Sequence, residues 1–279
     1  MSSLPALAAL LRLSGGPAAE KPGIKWENTF DEALKKAKRT GKPVMIDFWA
    51  DWCGWCHRLD ATTYRDETVM QLAKGFVPVK LNAEGTKAEV AIAVRYGVTS
   101  LPTIAFISPS GRMVLRLEGF QGPGQFPRVM EQAKEMATKL IGWETAIDKN
   151  PANAEALLGL AIHQLDAGLY DESHDLLARA RAADAERPVL DRKQARLLLG
   201  TLEYYGGKHP QAEQILREGL ALRPETEFDA KMLYVLGKNY LKWGRLQDAR
   251  TTLQSVVVGY DGSPIAQKAK ETLVALEQR

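Results

Sequence analysis

The sequence predicts an α/β unit, a mixed central sheet covered on both faces by helices, followed by an all-α unit of stacked helix pairs. Three observations support that reading. The chain has 279 residues, and at about 150 per domain such a length suits two domains. From Ile24 to about Ile141 helix-like and strand-like segments alternate, which is the pattern of a sheet covered by helices. Beyond Trp143 the strand signals fade and a repeat of small and large residues takes over. Apolar residues make up 45% and charged residues 25%, an ordinary globular composition that argues against disorder, collagen and low-complexity chains. Thirty-seven Lys and Arg against 34 Asp and Glu leave a net charge of +3. So mild a balance predicts no nucleic-acid partner, which would call for a strong basic cluster on one face. Nothing approaches about eighteen consecutive apolar residues, so no membrane span is expected.

Residues 1–23 stand apart. Leu4 to Leu13 is an apolar run followed by Ser14, Gly15, Gly16, Pro17, Ala18 and Ala19, the outline of a secretory signal peptide. No basic residue precedes the run, and Arg12 interrupts its end. A short helix or a retained leader is therefore the alternative. Within residues 24–142, Thr29 and Glu32 have capping-box spacing and open a helix that stops near Gly41. Val44 to Trp49 is a short apolar run suited to a buried strand. A cysteine-containing turn and a helix to about Lys74 follow, then a strand at Phe76 to Leu81 and a helix at Ala88 to Tyr96 ended by Gly97. Thr103 to Ser108 and Arg112 to Glu118 flank Pro109-Ser110-Gly111, a hairpin signal. Pro127 to Ile141 closes the unit as a helix.

In residues 143–279, Ala161, Gly200 and Gly237 each lie seven residues before Gly168, Gly207 and Gly244. Five residues beyond those glycines come Ser173, Ala212 and Ala249, and four further on Leu177, Leu216 and Leu253. Small, turn, small, large is the skeleton of antiparallel helix pairs that stack into a solenoid. The segment resembles tetratricopeptide repeats, which have about 34 residues; the spacings here are 39 and 37. Pro224 fits the family's terminal proline in the second repeat, and Tyr240 its aromatic position in the third. Gln164 and Glu203 stand at that aromatic position in the other two. A plain helical bundle is the alternative. Ile265 to Leu276 suits a final capping helix.

The only two cysteines lie in Trp52-Cys53-Gly54-Trp55-Cys56-His57, which excludes a framework of structural disulfides. Two cysteines three apart at a helix start can close a disulfide within one turn. The helix N-terminus stabilises a thiolate on the first. Cys53 is then the accessible nucleophile and Cys56, one turn deeper, resolves the mixed disulfide. Three alternatives stand beside this. Cys53 to His57 also spells a haem-attachment string. A zinc site would need two more ligands, and beyond His57 the histidines are His163, His174 and His209, all in the repeat half. A pair of inert buried thiols is the plainest alternative.

The surrounding residues carry a resemblance. Asp47-Phe48-Trp49-Ala50-Asp51-Trp52-Cys53 resembles the active-site segment of the thioredoxin superfamily, with an acid six residues before the nucleophile. Lys80-Leu81-Asn82 resembles its next core strand, and Tyr96 to Thr103 its cis-proline loop. Gly119 falls where the family has a glycine on the last strand. Acid, cysteine pair, lysine strand and proline loop occur in the family's order over about 110 residues. A haem site demands none of the other three. The resemblance implies a thioredoxin fold, a redox disulfide Cys53–Cys56, and a buried Asp47 that moves the proton of the resolving cysteine. It implies a cis Pro102 opposite the cysteines, with the Leu101 backbone free to pair with an extended substrate. Trp52, Gly54, Trp55, His57 and Lys80 become the residues that modulate the site or touch substrate. No cofactor is implied.

Departures narrow the branch. Gly54-Trp55 stands where thioredoxin has Gly-Pro, His57 replaces the usual lysine, and the region from Asp60 to Lys74 is longer. The segment looks like the branch near the C-terminal domain of the periplasmic thiol:disulfide interchange reductases. A protein-disulfide reductase fed by an upstream thiol electron donor is the activity this implies, with a protein client held on the repeat groove. The leader-like outline at Leu4 to Ala19 points to the periplasm or another exported location, and its cleavage would favour an exported reductase. The alternative is similar to the bacterial chaperedoxins, cytoplasmic holdases with the same domain order, in which binding comes first and redox chemistry second.

Overall fold

The computed structural model describes residues 23–277; the leader expected over residues 1–23 lies outside them, save its last residue. Helix α1, Phe30–Thr40, starts where Thr29 Oγ1 accepts from Glu32 N at 3.2 Å and ends at Gly41, whose φ is +69°. Only half of the expected capping box forms there. The full reciprocal box opens α4, Lys87–Arg95, where Thr86 and Glu89 satisfy each other's backbone amides.

The strands are β1, Val44–Trp49, β2, Val77–Asn82, β3, Thr103–Ile107, and β4, Met113–Glu118. They form one sheet in the order β2-β1-β3-β4, with β1 and β2 parallel and the other neighbours antiparallel. Side chains alternate between faces along a strand. Val44, Ile46 and Phe48 accordingly pack with Ala33 and Ala37 of α1 and Ala93 of α4. Met45 joins Ile104, Phe106 and Leu59 in the opposite layer. That alternation puts Asp47 on the Met45 face, the face covered by the helix that carries the cysteines.

Two expectations are corrected. The helix expected to run from the cysteines to about Lys74 is three pieces: α2, Gly54–Ala61, a 3-10 turn at Thr63–Arg65, and α3, Glu67–Ala73. Asp66 breaks it, because its carboxylate accepts from Val69 N at 3.1 Å and caps a new helix. The helix expected to end at Ile141 is α5, Phe126–Lys149. Gly142 stands where the pattern changes, but it does not take the left-handed conformation that ends α1 at Gly41, so one continuous helix crosses from the sheet unit into the repeats.

The repeats are the pairs α6, Ala154–Asp166, with α7, Tyr170–Ala182; α8, Val189–Tyr205, with α9, His209–Ala221; and α10, Phe228–Lys242, with α11, Leu246–Gly259. Helix α12, Pro264–Glu277, follows as the expected cap. Gly168, Gly207 and Gly244 turn each pair with φ of +78°, +74° and +82°, a region open to glycine at no steric cost. The small and large positions meet: a Cβ at Gly200 would lie 2.7 Å from Leu216 Cγ, and one at Gly237 2.7 Å from Leu253 Cγ. Apolar packing continues without a break from Met45 and Phe106 through Ala133, Ala137 and Leu140 of α5 to Leu157, Leu177 and Leu199. Polar ties add to it. Arg112, on the β3–β4 hairpin, pairs with Glu144 at 3.1 Å and Glu172 at 2.7 Å. His163 Nε2 donates to the Met113 carbonyl at 3.0 Å.

Candidate active site

Strand β1 ends at Trp49, and the chain turns so that Cys53 becomes the N-cap of α2. Cys53 Sγ accepts from Cys56 N at 3.2 Å, and the two sulfurs are joined in a disulfide. With both sulfurs bonded to each other, Cys53 is 3% exposed and Cys56 1%. The expected contrast between an accessible and a deep cysteine is thus small in the disulfide form. Ala50, Trp49 and Leu101 pack around the pair.

Pro102 follows a cis peptide bond, as the loop's resemblance implies. Its carbonyl accepts from Gly119 N at 2.8 Å, and Thr103 Oγ1 donates to the Ser100 carbonyl at 2.7 Å. These bonds hold the loop with Leu101 against the disulfide. Among the described residues neither backbone group of Leu101 makes a hydrogen bond.

Register places Asp47 opposite Lys80 on β2. The Asp47 side chain is wholly buried, and neither carboxylate oxygen has a hydrogen bond. Lys80 Nζ lies 3.2 Å from Asp47 Oδ2, as an ion pair without hydrogen-bond geometry. Burial raises the Asp47 pKa from 3.8 to about 6, against the pull of the Lys80 ammonium. Lys80 also pairs with Asp60, on α2, and its Nζ lies 5.3 Å from the Trp26 ring centre and 5.6 Å from those of Trp49 and Tyr64. Burial and then the charge of Asp47 push the Tyr64 phenol well above its ordinary range.

Trp52 is 68% exposed and donates from Nε1 to Glu84 at 2.9 Å. Trp55 is 56% exposed and rests against Phe120, with ring centres 5.4 Å apart. Arg58, one turn along α2, lies 5.5 Å from the Trp55 ring centre and 5.6 Å from that of Phe120. His57 Nε2 donates to the Asp51 carbonyl at 2.8 Å. Gly54 is exposed, with nothing within 4 Å of where a Cβ would stand. The structure sets Cys53 and Cys56 in one cluster with Trp49, Ala50 and Leu101, and pairs Asp47 with Lys80 across the neighbouring strands β1 and β2. It adds Asp60, Tyr64, Arg58 and Phe120, which sequence reasoning did not name. Asp60 and Arg58 could have been found by helical spacing from Cys56 and Trp55. Phe120 had only its place after Gly119.

The buried disulfide is bordered along the chain by two exposed aromatic side chains, Trp52 and Trp55. A cleft of about 1130 Å³ lies elsewhere, between β4 and the α6–α7 pair, lined by Arg95, Arg116, His163 and Glu172 among others, and includes neither cysteine.

Residues 30–134 match a thioredoxin-like domain family, and residues 131–197 and 197–264 match tetratricopeptide repeat families. The thiol:disulfide interchange protein DsbD of Salmonella typhi is 34% identical over 121 residues, 40% of this chain and 21% of the relative. DsbD of Ralstonia nicotianae is 28% identical over 134 residues, 46% of this chain and 22% of the relative. The chain thus spans about a fifth of the length of these curated relatives. A solved structure of the oxidised C-terminal domain of Neisseria meningitidis DsbD is 27% identical, covers 37% of this chain and 90% of that one, and superposes with a TM-score of 0.33. Residues 30–134 form a thioredoxin-like domain with a Cys53–Cys56 disulfide, and tetratricopeptide repeats follow it along the same chain.

Proposed function

We propose that the chain is a thiol-disulfide oxidoreductase that works as a protein-disulfide reductase. One observation carries the reading: the Cys53–Cys56 disulfide caps α2 against Leu101, whose backbone makes no hydrogen bond among the described residues, and β1, the strand that leads into this turn, holds a buried Asp47. In the reduced form the Cys53 thiolate attacks one sulfur of a client disulfide. The client's S–S bond breaks, a mixed disulfide forms, and the first client thiolate leaves and takes a proton. Asp47 then accepts the Cys56 proton, the Cys56 thiolate attacks Cys53 Sγ, and the second client thiol is released. Two electrons pass to the client and the chain is left as its disulfide, to be reduced by an upstream thiol donor.

The substrate is a protein. An open rim of Trp52, Trp55 and Phe120 suits an extended segment laid along Leu101 better than it suits an enclosed small molecule. Trp52, Gly54, Trp55 and His57 border that path, and Lys80 sets the charge state of Asp47. The repeats recruit the client. The thioredoxin-like domain match supports the dithiol reading over the haem alternative, which demands neither Asp47 nor the cis-Pro102 loop. An exported location rests on the outline of residues 1–23, and N-terminal sequencing of the mature protein tests it.

Equilibration with glutathione buffers tests the direction. A potential near about −270 mV supports a reductase, whereas one near about −120 mV makes the chain a disulfide donor and overturns that direction. Cys56→Ser is expected to accumulate mixed disulfides with clients, and Cys53→Ser to lose turnover. Full turnover by Cys53→Ser would remove the nucleophile assignment.

A further inference from the structure

Lys80 serves two carboxylates unequally. Its hydrogen bond goes to Asp60, whose side chain is 44% exposed, while the wholly buried Asp47 accepts none among the described residues. The ammonium nevertheless stays 3.2 Å from Asp47 Oδ2. Three aromatic rings stand within cation–π reach of it. Lys80 Nζ lies 5.3 Å from the ring centre of Trp26 and 5.6 Å from those of Trp49 and Tyr64. The rings brace one another: Trp26 meets Tyr64 edge to face with centres 5.1 Å apart, and Tyr64 meets Phe126 of α5 at 6.1 Å. Trp49, at the end of β1, also packs against the cysteine pair.

Trp26 comes from outside the matched domain, which spans residues 30–134. Its segment is clipped to the sheet edge. Glu27 N donates to the Pro78 carbonyl at 2.8 Å, Glu27 bridges Val79 as a parallel neighbour, and its carboxylate pairs with Lys36 of α1. The clip lies one residue after Trp26 and one before Lys80 on β2, so it brings the indole to the ammonium. Packing against the apolar core accounts for the partial burial of Trp26. It does not account for the place of the ammonium. A lysine on an edge strand has a flexible stem and a strongly hydrated head. Left alone, that head would follow its hydrogen bond to Asp60 and the water beyond.

We propose that Trp26 is a positioning residue of the redox site: with Trp49 and Tyr64 it holds the Lys80 ammonium against Asp47 and so favours the ionised carboxylate that the resolving step uses. A ring face attracts an ammonium without neutralising it, so the full charge stays available to Asp47. The groups that face Asp47 are Lys80 of β2, Asp60 of α2 and Tyr64 of the 3-10 turn, while β3 sets Ile104 opposite it. Burial first, and then the Asp60 charge, favour its protonated form; the Lys80 ammonium opposes both. Without the indole the ammonium goes over to Asp60 and solvent, and Asp47 keeps its proton to higher pH. The proposal rests on the reading above only in giving Asp47 a part in resolution.

The test is a carbon-13 NMR titration of the Asp47 carboxyl in the full chain as its disulfide, where no turnover is needed. Trp26→Met keeps apolar cover without a ring and is expected to raise the midpoint by about half a unit. That is less than Lys80→Met, because the ammonium is displaced and not removed. Trp26→Phe retains a ring and should restore the parent midpoint. In a Lys80→Met background Trp26→Met should add nothing, since the ring then has no ammonium to hold. An unchanged midpoint, an equal rise with Phe, or the same rise without Lys80 would overturn the proposal. So would a fall, which would make the indole a shield against water. Circular dichroism checks that the variants keep the fold. A measurement on the parent needs no variant: the Lys80 Cε protons should be shifted upfield by the rings, and an ordinary lysine position would overturn the placement. Decay of the trapped mixed disulfide should slow about twofold in Trp26→Met at pH 6 and match the parent at pH 8, because a half-unit rise takes the ionised fraction at pH 6 from about one half to about one quarter. A titration that shifts as expected while resolution does not follow it would retain the placement of Lys80 by Trp26 and remove the proton role given to Asp47.

Discussion

Lys80 Nζ stands 3.2 Å from the Asp47 carboxylate and also pairs with Asp60, so one ammonium joins a wholly buried acid to a partly exposed one. The pair is unequal. Burial outweighs the lysine's attraction, and Asp47 keeps a pKa of about 6.

The step in which Cys56 resolves the mixed disulfide should therefore follow a group ionising near pH 6, slowing as Asp47 becomes protonated below it. Asp47→Asn should flatten that limb and slow the step by about a hundredfold. Stopped-flow decay of a trapped mixed disulfide measures both; an unchanged limb would assign the proton to another group.

The same variant should be more stable than the parent at neutral pH. A folded pKa near 6 against 3.8 unfolded means that the unfolded state ionises first as pH rises. Stability from Asp47 is present below about pH 4, is lost between 4 and 6, and stays lost above. The full shift is worth about 3 kcal/mol. Urea unfolding should show Asp47→Asn gaining that order at pH 8 and little at pH 4.

Removing the counter-charge works in the other direction. Lys80→Met should raise the Asp47 pKa by about one unit or more. The pH profile of the resolving step should move up accordingly, with the largest loss of rate near pH 7.

In the repeats, Lys193 is fully buried and its Nζ donates to both oxygens of Asp229 at 2.7 and 2.5 Å. Lys193→Met alone leaves a buried carboxylate unpaired and should cost about 3–5 kcal/mol. Adding Asp229→Leu should return most of it. Thermal unfolding of the two variants makes the comparison.

Gly200→Ala tests the repeat register. Alanine gains about 1 kcal/mol of helix propensity. Its methyl would press on Leu216 at 2.7 Å, and overpacking costs about 1–3 kcal/mol. A net loss of up to about 2 kcal/mol is expected, relieved when Leu216→Val is added.

Much of this was legible because it is local or periodic. Val44 to Trp49 is buried on both faces and reads as a continuous apolar run; the β3–β4 hairpin is signalled by Pro109-Ser110-Gly111. The glycines of the repeats mark the turns by their φ and the tight contacts by their missing side chains. Asp47, the cysteine pair and Pro102 were visible through fixed spacing. The break at Asp66 was not, because a carboxylate can cap a helix or lie along one and only the neighbouring amide decides. Nor was the length of α5, whose far half is apolar toward the repeats in the same rhythm that its near half shows to the sheet. Phe120 reaches the site from beyond β4, so its meeting with Trp55 depends on packing that no short spacing encodes.

The 24 residues of α5 make a rod of about 36 Å, buried from Phe126 to Leu140, packed beyond that through the partly buried Ile141, Trp143 and Ile147, and pinned by Glu144 to Arg112. With a client held on the repeats, as proposed above, such a rod would act as a ruler. A flexible tether would let a captured client present any of its disulfides in turn, at a local concentration set by chain length. A stiff one gives a high local concentration only to a cysteine pair lying at the matching offset from the captured segment, and almost none to the rest. Selection among the disulfides of a single client would then come from distance, without any preference in the chemistry of Cys53 itself.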